Sequence, residues 1–412
     1  MTAAASRKLQ QRADYTHKHN LKTGRHGWLR LTPAYSVKIV EEIIAQSDPT
    51  ARVLDPFCGT ATTALSAAYH GHESVTTDIN PFLIWLGSAK IDRYSAADIA
   101  TTQHLAERAL DLVRKDKITP TEYPPIHNIE RWWPEAALSF LTRLQAAIRF
   151  LSKPSSKEYA LLSVAFCRTL ISISNAAFNH QSMSFKDERQ VAIPFGMNFE
   201  TVFRADVQFV LDGASDNPSG NADVQLADAR HLADAIHGPF DLVVTSPPYA
   251  NRMSYIRELR PYMYWLGFLR HAREAGELDW KAIGGTWGIA TSRLTKWNSS
   301  SNRFRNPDLD FALGQIAHNR NKNGLLLSAY VAKYFEDMWL HLQNLISILN
   351  RRAEIHYIVG NSTFYGALLP VEKLYAAMLD KLGFVDIECR PIRKRNSKKE
   401  LVEFDVVAKW IT

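Results

Sequence analysis

Cysteine is scarce in this 412-residue sequence: Cys58, Cys167 and Cys389 lie far apart, with no C-x-x-C or Cys/His spacing among them. That excludes a disulfide framework and a zinc site, so no metal is expected. Long apolar runs are missing as well. Nowhere do 18 or so uninterrupted apolar residues occur, and the opening M-T-A-A-A-S-R-K-L-Q-Q-R has no signal-peptide core. A membrane span is therefore not expected, and the expected location is cytoplasmic. Internal repeats and low-complexity tracts are absent too. Neither usual phosphate-binding signature occurs: no G-x-G-x-x-G opens a βαβ unit, and no Lys follows the glycine of D-P-F-C-G-T-A-T-T (55–63).

What is present begins with charge. The formal net charge of +7 is a mild hint of a polyanionic partner, and its distribution says more. Residues 7–30 hold Arg7, Lys8, Arg12, Lys18, Lys22, Arg25 and Arg30 against Asp14 alone. Arg293, Lys296, Arg303 and Arg305 interleave with Trp297 and Phe304 without an acid, and residues 390–399 carry Arg390, Arg393, Lys394, Arg395, Lys398 and Lys399. Each run alone fits a solvated loop; three together favour a phosphate-rich ligand.

Hydrophobic periodicity alternates helix and strand from Ser36 onward. A helical V-K-I-V-E-E-I-I precedes a strand at 52–55, a small-residue helix at 61–69, a strand at 74–77 and another helix after I-N-P-F. This is the opening of a doubly wound α/β sheet. Between about 92 and 220 the strand signal vanishes. Helical spacing fills 96–115, 134–151 and 157–178, and 212–220 reads as a polar loop. Strands resume at 223–226 and 240–245; a helix starts at Ser254, a Gly/Trp/Ser/Asn-rich stretch spans 284–306, and a helix covers 326–349. Strands at 355–359, 384–388 and 402–408 close the chain, the last two as an antiparallel pair. The expected units are 1–92, a basic arm and cofactor-binding half; 93–220, a helical insertion; and 221–412, a catalytic half.

In an open α/β sheet, ligands bind beyond the carboxyl ends of the strands where strand order reverses. Three motifs sit at such ends and should converge on one cleft: 55–63, 78–82 and 246–249. In the first, Gly59 lets the backbone approach a ligand, and free N–H groups open the following helix. Asp78 can accept from ribose hydroxyls, or simply cap a helix. In T-S-P-P-Y (245–249), two prolines hold the chain extended with carbonyls outward, Ser246 adds an acceptor and Tyr249 a flat face. Those groups suit a planar heterocycle bearing an amine; a plain strand-ending turn is the alternative.

D-P-F-C-G-T-A-T-T and T-S-P-P-Y resemble the cofactor and catalytic motifs of the S-adenosylmethionine-dependent amino-methyltransferases of DNA, which modify N4 of cytosine or N6 of adenine. The resemblance covers 26–92 and 221–409 and leaves the helical stretch unmatched. It implies a Rossmann-like class I methyltransferase sheet with a C-terminal antiparallel strand, plus a mostly helical insertion. It implies S-adenosyl-L-methionine held by Asp55, Pro56, Phe57, Gly59, Thr60, Thr62, Asp78, Asp228 and Thr32, with Ser246, Pro247, Pro248 and Tyr249 catalytic. His26-Gly27-Trp28-Leu29-Arg30-Leu31-Thr32-Pro33 resembles the segment that closes over the methionine end, and Ala227-Asp228-Ala229-Arg230 the one whose acid borders the adenine. One departure stands out: the family loop usually ends G-T-G, whereas Ala61 follows Gly59-Thr60 here, and alanine tolerates positive φ less well.

The resemblance further implies in-line methyl transfer to an exocyclic amine without a covalent enzyme intermediate. Transfer to carbon 5 would need a cysteine after proline, and none of the three follows one. The family's first tetrapeptide residue is usually Ser for N4-cytosine and Asp or Asn for N6-adenine, so Ser246 favours cytosine. The base must leave the duplex to enter such a cleft. Double-stranded DNA is the expected partner, gripped by Arg252, Arg293, Lys296, Arg303 and Arg305. Residues 270–323, with Trp280, Trp287, Trp297, Asn298 and Asn302, are favoured over the insertion for target recognition. A restriction–modification system, with a cognate restriction endonuclease as candidate partner, is the implied setting. The rival readings are an adenine-N6 or RNA methyltransferase and a nucleic-acid-binding protein without activity. Arg252 and Tyr255 can face the flipped nucleotide, and 361–362 can line the cleft.

Overall fold

The computed structural model describes residues 9–31, 35–177, 184–185, 198–251, 254–286, 289–318, 323–395 and 401–411. Its sheet has seven strands: β1 Val53–Asp55, β2 Glu73–Asp78, β3 Asn221–Leu226, β4 Phe240–Thr245, β5 Leu349–Gly360, β6 Val385–Lys394 and β7 Val402–Lys409. Their spatial order is β3-β2-β1-β4-β5-β7-β6. β1 to β5 pair in parallel, and β7 lies antiparallel between β5 and β6. This is the Rossmann-like sheet with an antiparallel C-terminal strand. β1 is buried throughout and β4 nearly so, as central parallel strands covered on both faces must be. Strand order reverses at β1, whose neighbours are β2 on one side and β4 on the other.

Helix starts agree with local chemistry. Ser36 caps Val37–Ile44, Asn80 caps Pro81–Ile91 with proline in the first turn, and Ser254 caps Tyr255–Leu266. Among the described residues from 96 to 214, helices cover Ala96–Arg114, Ile129–Trp132, Glu135–Leu151, Lys157–Ser172 and Phe199–Ala214, with a two-residue pairing of Ala176–Ala177 to Ser184–Phe185. These helices share one apolar core with Trp28, Phe82 and Trp265. Trp265 meets Trp133 and Phe166 edge-on at 5.6 and 5.7 Å. The opposite face is covered by Gly324–Leu345 and Val371–Leu382, whose Tyr334 and Tyr375 hydroxyls meet at 2.8 Å.

Several boundaries differ from expectation. The polar 212–220 begins inside the helix Phe199–Ala214; Gly213 sits there because a Cβ would come within 2.6 Å of the Trp28 indole nitrogen. The helix expected over 157–178 ends at Ser172. The one expected over 326–349 ends at Leu345, and β5 begins at Leu349, six residues before the expected strand. Within 270–323 the structure forms helices Ala272–Lys281, Ile289–Leu294 and Pro307–Ala317.

Two cations of the first basic run, Arg12 and Arg25, are engaged within the fold. Arg25 is fully buried and donates to the carbonyls of Gly213 (2.9 Å), Ala214 (3.0 Å), Lys90 (2.8 Å) and Asp92 (2.5 Å), and to Asn217 Oδ1 (2.7 Å). That engages the whole donor fork of a guanidinium. It ties the N-terminal segment to residues 90–92 and 213–217. Arg12 pairs with Asp14 at 2.7 Å, and Arg7 and Lys8 lie outside the described residues.

Candidate active site

A cleft of about 950 Å³, including its open mouth, lies at the carboxyl ends of β1, β2 and β4. Its walls bring together Pro56 to Thr60 and Thr62 after β1, Asp78 to Asn80 after β2, Asp228 after β3, and Ser246 and Pro248 after β4. Leu31 and Tyr35 approach from the N-terminal segment, and Asp279 to Gly285 close the far side. Thr32, between Leu31 and Tyr35, lies outside the described residues, as does Arg252.

The two motif loops are physically joined. The Thr245 hydroxyl donates to Asp55 Oδ1 at 2.6 Å, and the Phe57 amide donates to the same oxygen at 3.0 Å. Asp55 is 1% exposed, so it acts as a buried strut beneath the cleft. Burial pushes its carboxyl up to about 6, against the stabilising bonds from Thr245 and Phe57. Beside it, Tyr35 and Thr63 share a hydroxyl–hydroxyl hydrogen bond, and Thr63 also donates to the Val244 carbonyl at 3.0 Å.

Asp78 lines the cleft and holds it together. Its Oδ2 accepts from the Gly59 amide at 3.1 Å and its Oδ1 from the Asn80 amide at 2.9 Å. Burial pushes Asp78 up to about 6 as well, with those amides opposing. Asp228 differs: burial works against its charge, but the Arg230 guanidinium, at 2.9 and 2.6 Å, outweighs that and holds it below the usual carboxylate range. Arg230 also bonds Asp337 (2.9 Å) and the Lys281 carbonyl (2.7 Å), which fixes the far wall. That wall is tied to the helix Tyr255–Leu266 by the hydroxyl of its cap Ser254, which donates to Asp279 at 2.5 Å.

Ala61 takes up the left-handed conformation, with φ 59° and ψ 36°, as the N-cap of Thr62–Tyr69. The strain of a non-glycine residue there costs about 1–2 kcal/mol. Against it stand about 0.8 kcal/mol for the buried methyl and about 0.5–1 kcal/mol of backbone entropy that glycine would lose. The terms nearly cancel, so alanine preserves the loop's shape. Lys90, fully buried, reaches up beneath this loop. Its ammonium donates to the carbonyls of Thr60 (2.9 Å) and His26 (3.3 Å), and burial pushes it down to about 7.

The S-P-P-Y residues divide. Ser246 Oγ is shielded from water and has no hydrogen-bond partner among the described residues, in a residue that lines the cleft. Pro247 is buried, and Pro248 lines the wall. Tyr249 is not on the wall. Its hydroxyl donates to Glu403 Oε1 on β7 at 2.6 Å, its amide donates to the Tyr255 hydroxyl at 3.3 Å, and the Arg395 guanidinium lies 4.8 Å from its ring centroid. Tyr255 does line the cleft; Asn361 and Ser362 do not, and lead into a hairpin of Ser362–Phe364 with Ala367–Leu369.

Of the cations expected on DNA, Arg293 is bound to Glu277 at 2.7 Å. Lys296, Arg303 and Arg305 are exposed, with no ion pair among the described residues. Cys58 reaches the cleft, but burial raises its thiol far above the range in which it ionises, so it offers no thiolate. No cluster of His, Cys, Asp or Glu suited to a metal occurs among the described residues, and none of their helices is long and apolar enough to cross a membrane.

Thr245 entered only as the first residue of T-S-P-P-Y, without a role, and Tyr35, Lys90, Glu403 and Asp279 were not singled out from sequence. No local spacing signals them, since Thr245 meets Asp55 across 190 residues and Tyr249 meets Glu403 across 154.

The architecture is that of a doubly wound α/β sheet carrying its cleft at the topological switch point. The chain is similar to the Type II methyltransferase M.BsoBI of Geobacillus stearothermophilus, 20% identical over 93% of this chain and 83% of that protein. It is also similar to the Type II methyltransferase M.MvaI of Kocuria varians, 22% identical over 82% of this chain and 77% of that protein. No protein-family profile matches. Solved structures that align include TrmN from Thermus thermophilus, 11% identical with a TM-score of 0.31 over 97% of this chain and 53% of that one. Another is the rRNA methyltransferase aviRa from Streptomyces viridochromogenes, 12% identical with a TM-score of 0.31 over 97% and 96%. Superpositions that loose carry no argument about this chain.

Proposed function

We propose that this chain is a DNA amino-methyltransferase that uses S-adenosyl-L-methionine to methylate N4 of a cytosine swung out of the duplex, in a restriction–modification setting. The observation that carries the reading is the junction at the cleft floor, where the Thr245–Asp55 bond fastens the T-S-P-P-Y loop to the D-P-F-C-G-T loop. Similarity to the two Type II methyltransferases supports methyl transfer.

The residues fit the cofactor. Asp78 and Asp228 offer carboxylate acceptors for an adenosine, Phe57, Ile79, Leu83 and Ile283 supply apolar walls, and the Gly59 backbone clears space. When bound there, the cofactor supplies an electrophilic methyl group. Everything else is done by the chain. Ser246 Oγ, lacking a partner, and the Pro247 carbonyl accept the two hydrogens of the exocyclic amine. Those bonds favour a tetrahedral nitrogen and strengthen as positive charge develops on it. The diproline removes backbone donors that would compete, and fixing both loops to Asp55 holds nucleophile and methyl group in one frame. Exposed Lys296, Arg303 and Arg305 hold phosphates.

Incubation with tritiated S-adenosylmethionine and a diverse pool of unmethylated DNA should label the DNA, and nucleoside analysis should return N4-methylcytosine. N6-methyladenine in the digest would move the assignment to adenine. Cofactor binding with no labelled DNA across the pool would refute DNA modification.

A further inference from the structure

Tyr249 is the flat face that the T-S-P-P-Y motif offers to a heterocycle, yet it is 9% exposed and one of its faces lies under Arg395 at 4.8 Å. The guanidinium sits in a prepared seat. Its Nη1 donates to the Asn361 carbonyl at 2.8 Å, and the backbone of Gly360 passes directly beneath it. A Cβ at residue 360 would come within 2.6 Å of Arg395 Nη1 and 3.0 Å of its Cδ and Cζ. Gly360 has no positive φ that would call for glycine; what needs the missing side chain is Arg395. The ring itself is anchored elsewhere. Its hydroxyl holds Glu403, which is 2% exposed and has Arg393 Nε 2.7 Å from its other oxygen. Tyr249 is thus fixed, and the flexible group over it is Arg395.

We propose that Arg395 is a displaceable cap: it covers Tyr249 in the DNA-free protein, yields that face to the extruded base, and moves to a phosphate of the same nucleotide. This rests on the DNA-methyltransferase reading. The phosphate tips the exchange: base–aromatic stacking is comparable to a desolvated cation–π contact, while the neutral carbonyl of Asn361 is replaced by an anionic, charge-assisted partner. A ring left bare would present an apolar face to water; a cap of this chemistry keeps it covered without blocking a base. Arg395 is a positioning residue in this account, and its role is visible in the ionic-strength dependence of DNA binding.

The test measures methyl transfer to genomic DNA free of methylated bases, with the KM for DNA followed across salt. Arg395→Met should flatten the slope of log KM against log salt by about 0.9, the share of one phosphate contact, and raise the KM for DNA several-fold while leaving S-adenosylmethionine affinity unchanged. Arg395→Lys should keep the slope. Gly360→Ala, which evicts the guanidinium from its seat but leaves it in the protein, should keep the slope and match or lower the KM for DNA. An unchanged slope in Arg395→Met with a fallen kcat would make Arg395 a fixed support and overturn the cap. So would a Gly360→Ala variant as impaired as Arg395→Met. Wild-type protein that labels no DNA sinks the functional reading and the cap with it; labelled DNA with an unchanged Arg395→Met slope sinks the cap alone.

Discussion

Asp78 is a carboxylate kept short of solvent, and its cleft makes it a pH-dependent acceptor. Burial pushes it up to about 6 even though two amides bond it. A ligand that donates hydroxyl hydrogens to it favours the ionised form, so cofactor affinity should be full above pH 7 and fall as pH drops through 6 and Asp78 takes up a proton. Asp78→Asn keeps the shape but removes the charge. Losing charge-assisted bonds of about 1.5–3 kcal/mol should weaken S-adenosylmethionine binding about ten- to a hundredfold and flatten its dependence between pH 5 and 7, as read by calorimetry. Asp55 titrates in the same range, but it supports from below, so a dependence that survives in Asp78→Asn would assign the effect to Asp55 instead. Asp78, Gly59 and Ser246 were legible because each belongs to a short motif at a strand end. Lys90 was not, because a lysine near the end of an apolar helix reads as a solvated residue until the fold buries it.

At the scale of elements, the strand pair β5–β7 carries its own titratable clamp. His356 on β5 donates through Nδ1 to Asp405 on β7 at 2.9 Å and through Nε2 to Glu354 at 2.8 Å. Burial opposes its charge, yet the bonds from Asp405 and Glu354 overcome it and push the imidazole up to about 9. A folded-state value above the ordinary 6.5 means that the stabilisation is complete below pH 6.5 and disappears as pH rises through 9. Two and a half pH units correspond to about 3 kcal/mol, reduced because Glu354 is 40% exposed. Chemical denaturation should show roughly 2 kcal/mol lost between pH 6.5 and 9.5. His356→Gln should abolish that slope, and a slope that persists in the variant would place the titration elsewhere. The strands of this sheet were readable from apolar runs and their turns. The ends were not: β5 extends six residues earlier than its apolar stretch, because the half-buried Asn350 donates to Asp241 at 2.6 Å and Arg351 and Arg352 sit exposed at the strand's start.

For the whole molecule, charge sorts into cations the fold uses and cations it leaves free. Sequence places three basic runs side by side as equals; folding does not. Arg25 is buried among carbonyls, Arg393 faces Glu403, Arg395 covers Tyr249 and Arg293 is held by Glu277. Composition cannot separate these from Lys296, Arg303 and Arg305, since what distinguishes them is a partner far away in the chain. Because Lys296, Arg303 and Arg305 have no ion pair among the described residues and stand outside the cleft wall, they should act on DNA affinity alone. Replacing all three by alanine should lower the salt slope of DNA binding by about two to three, at about 0.9 per phosphate contact, and weaken binding to all sequences alike while S-adenosylmethionine affinity stays within twofold. Fluorescence anisotropy with duplexes of different sequence measures both quantities. A loss confined to one sequence would make the stretch a base-reading element, since phosphate contacts carry no sequence information. An unchanged slope would put the DNA on another face of the molecule.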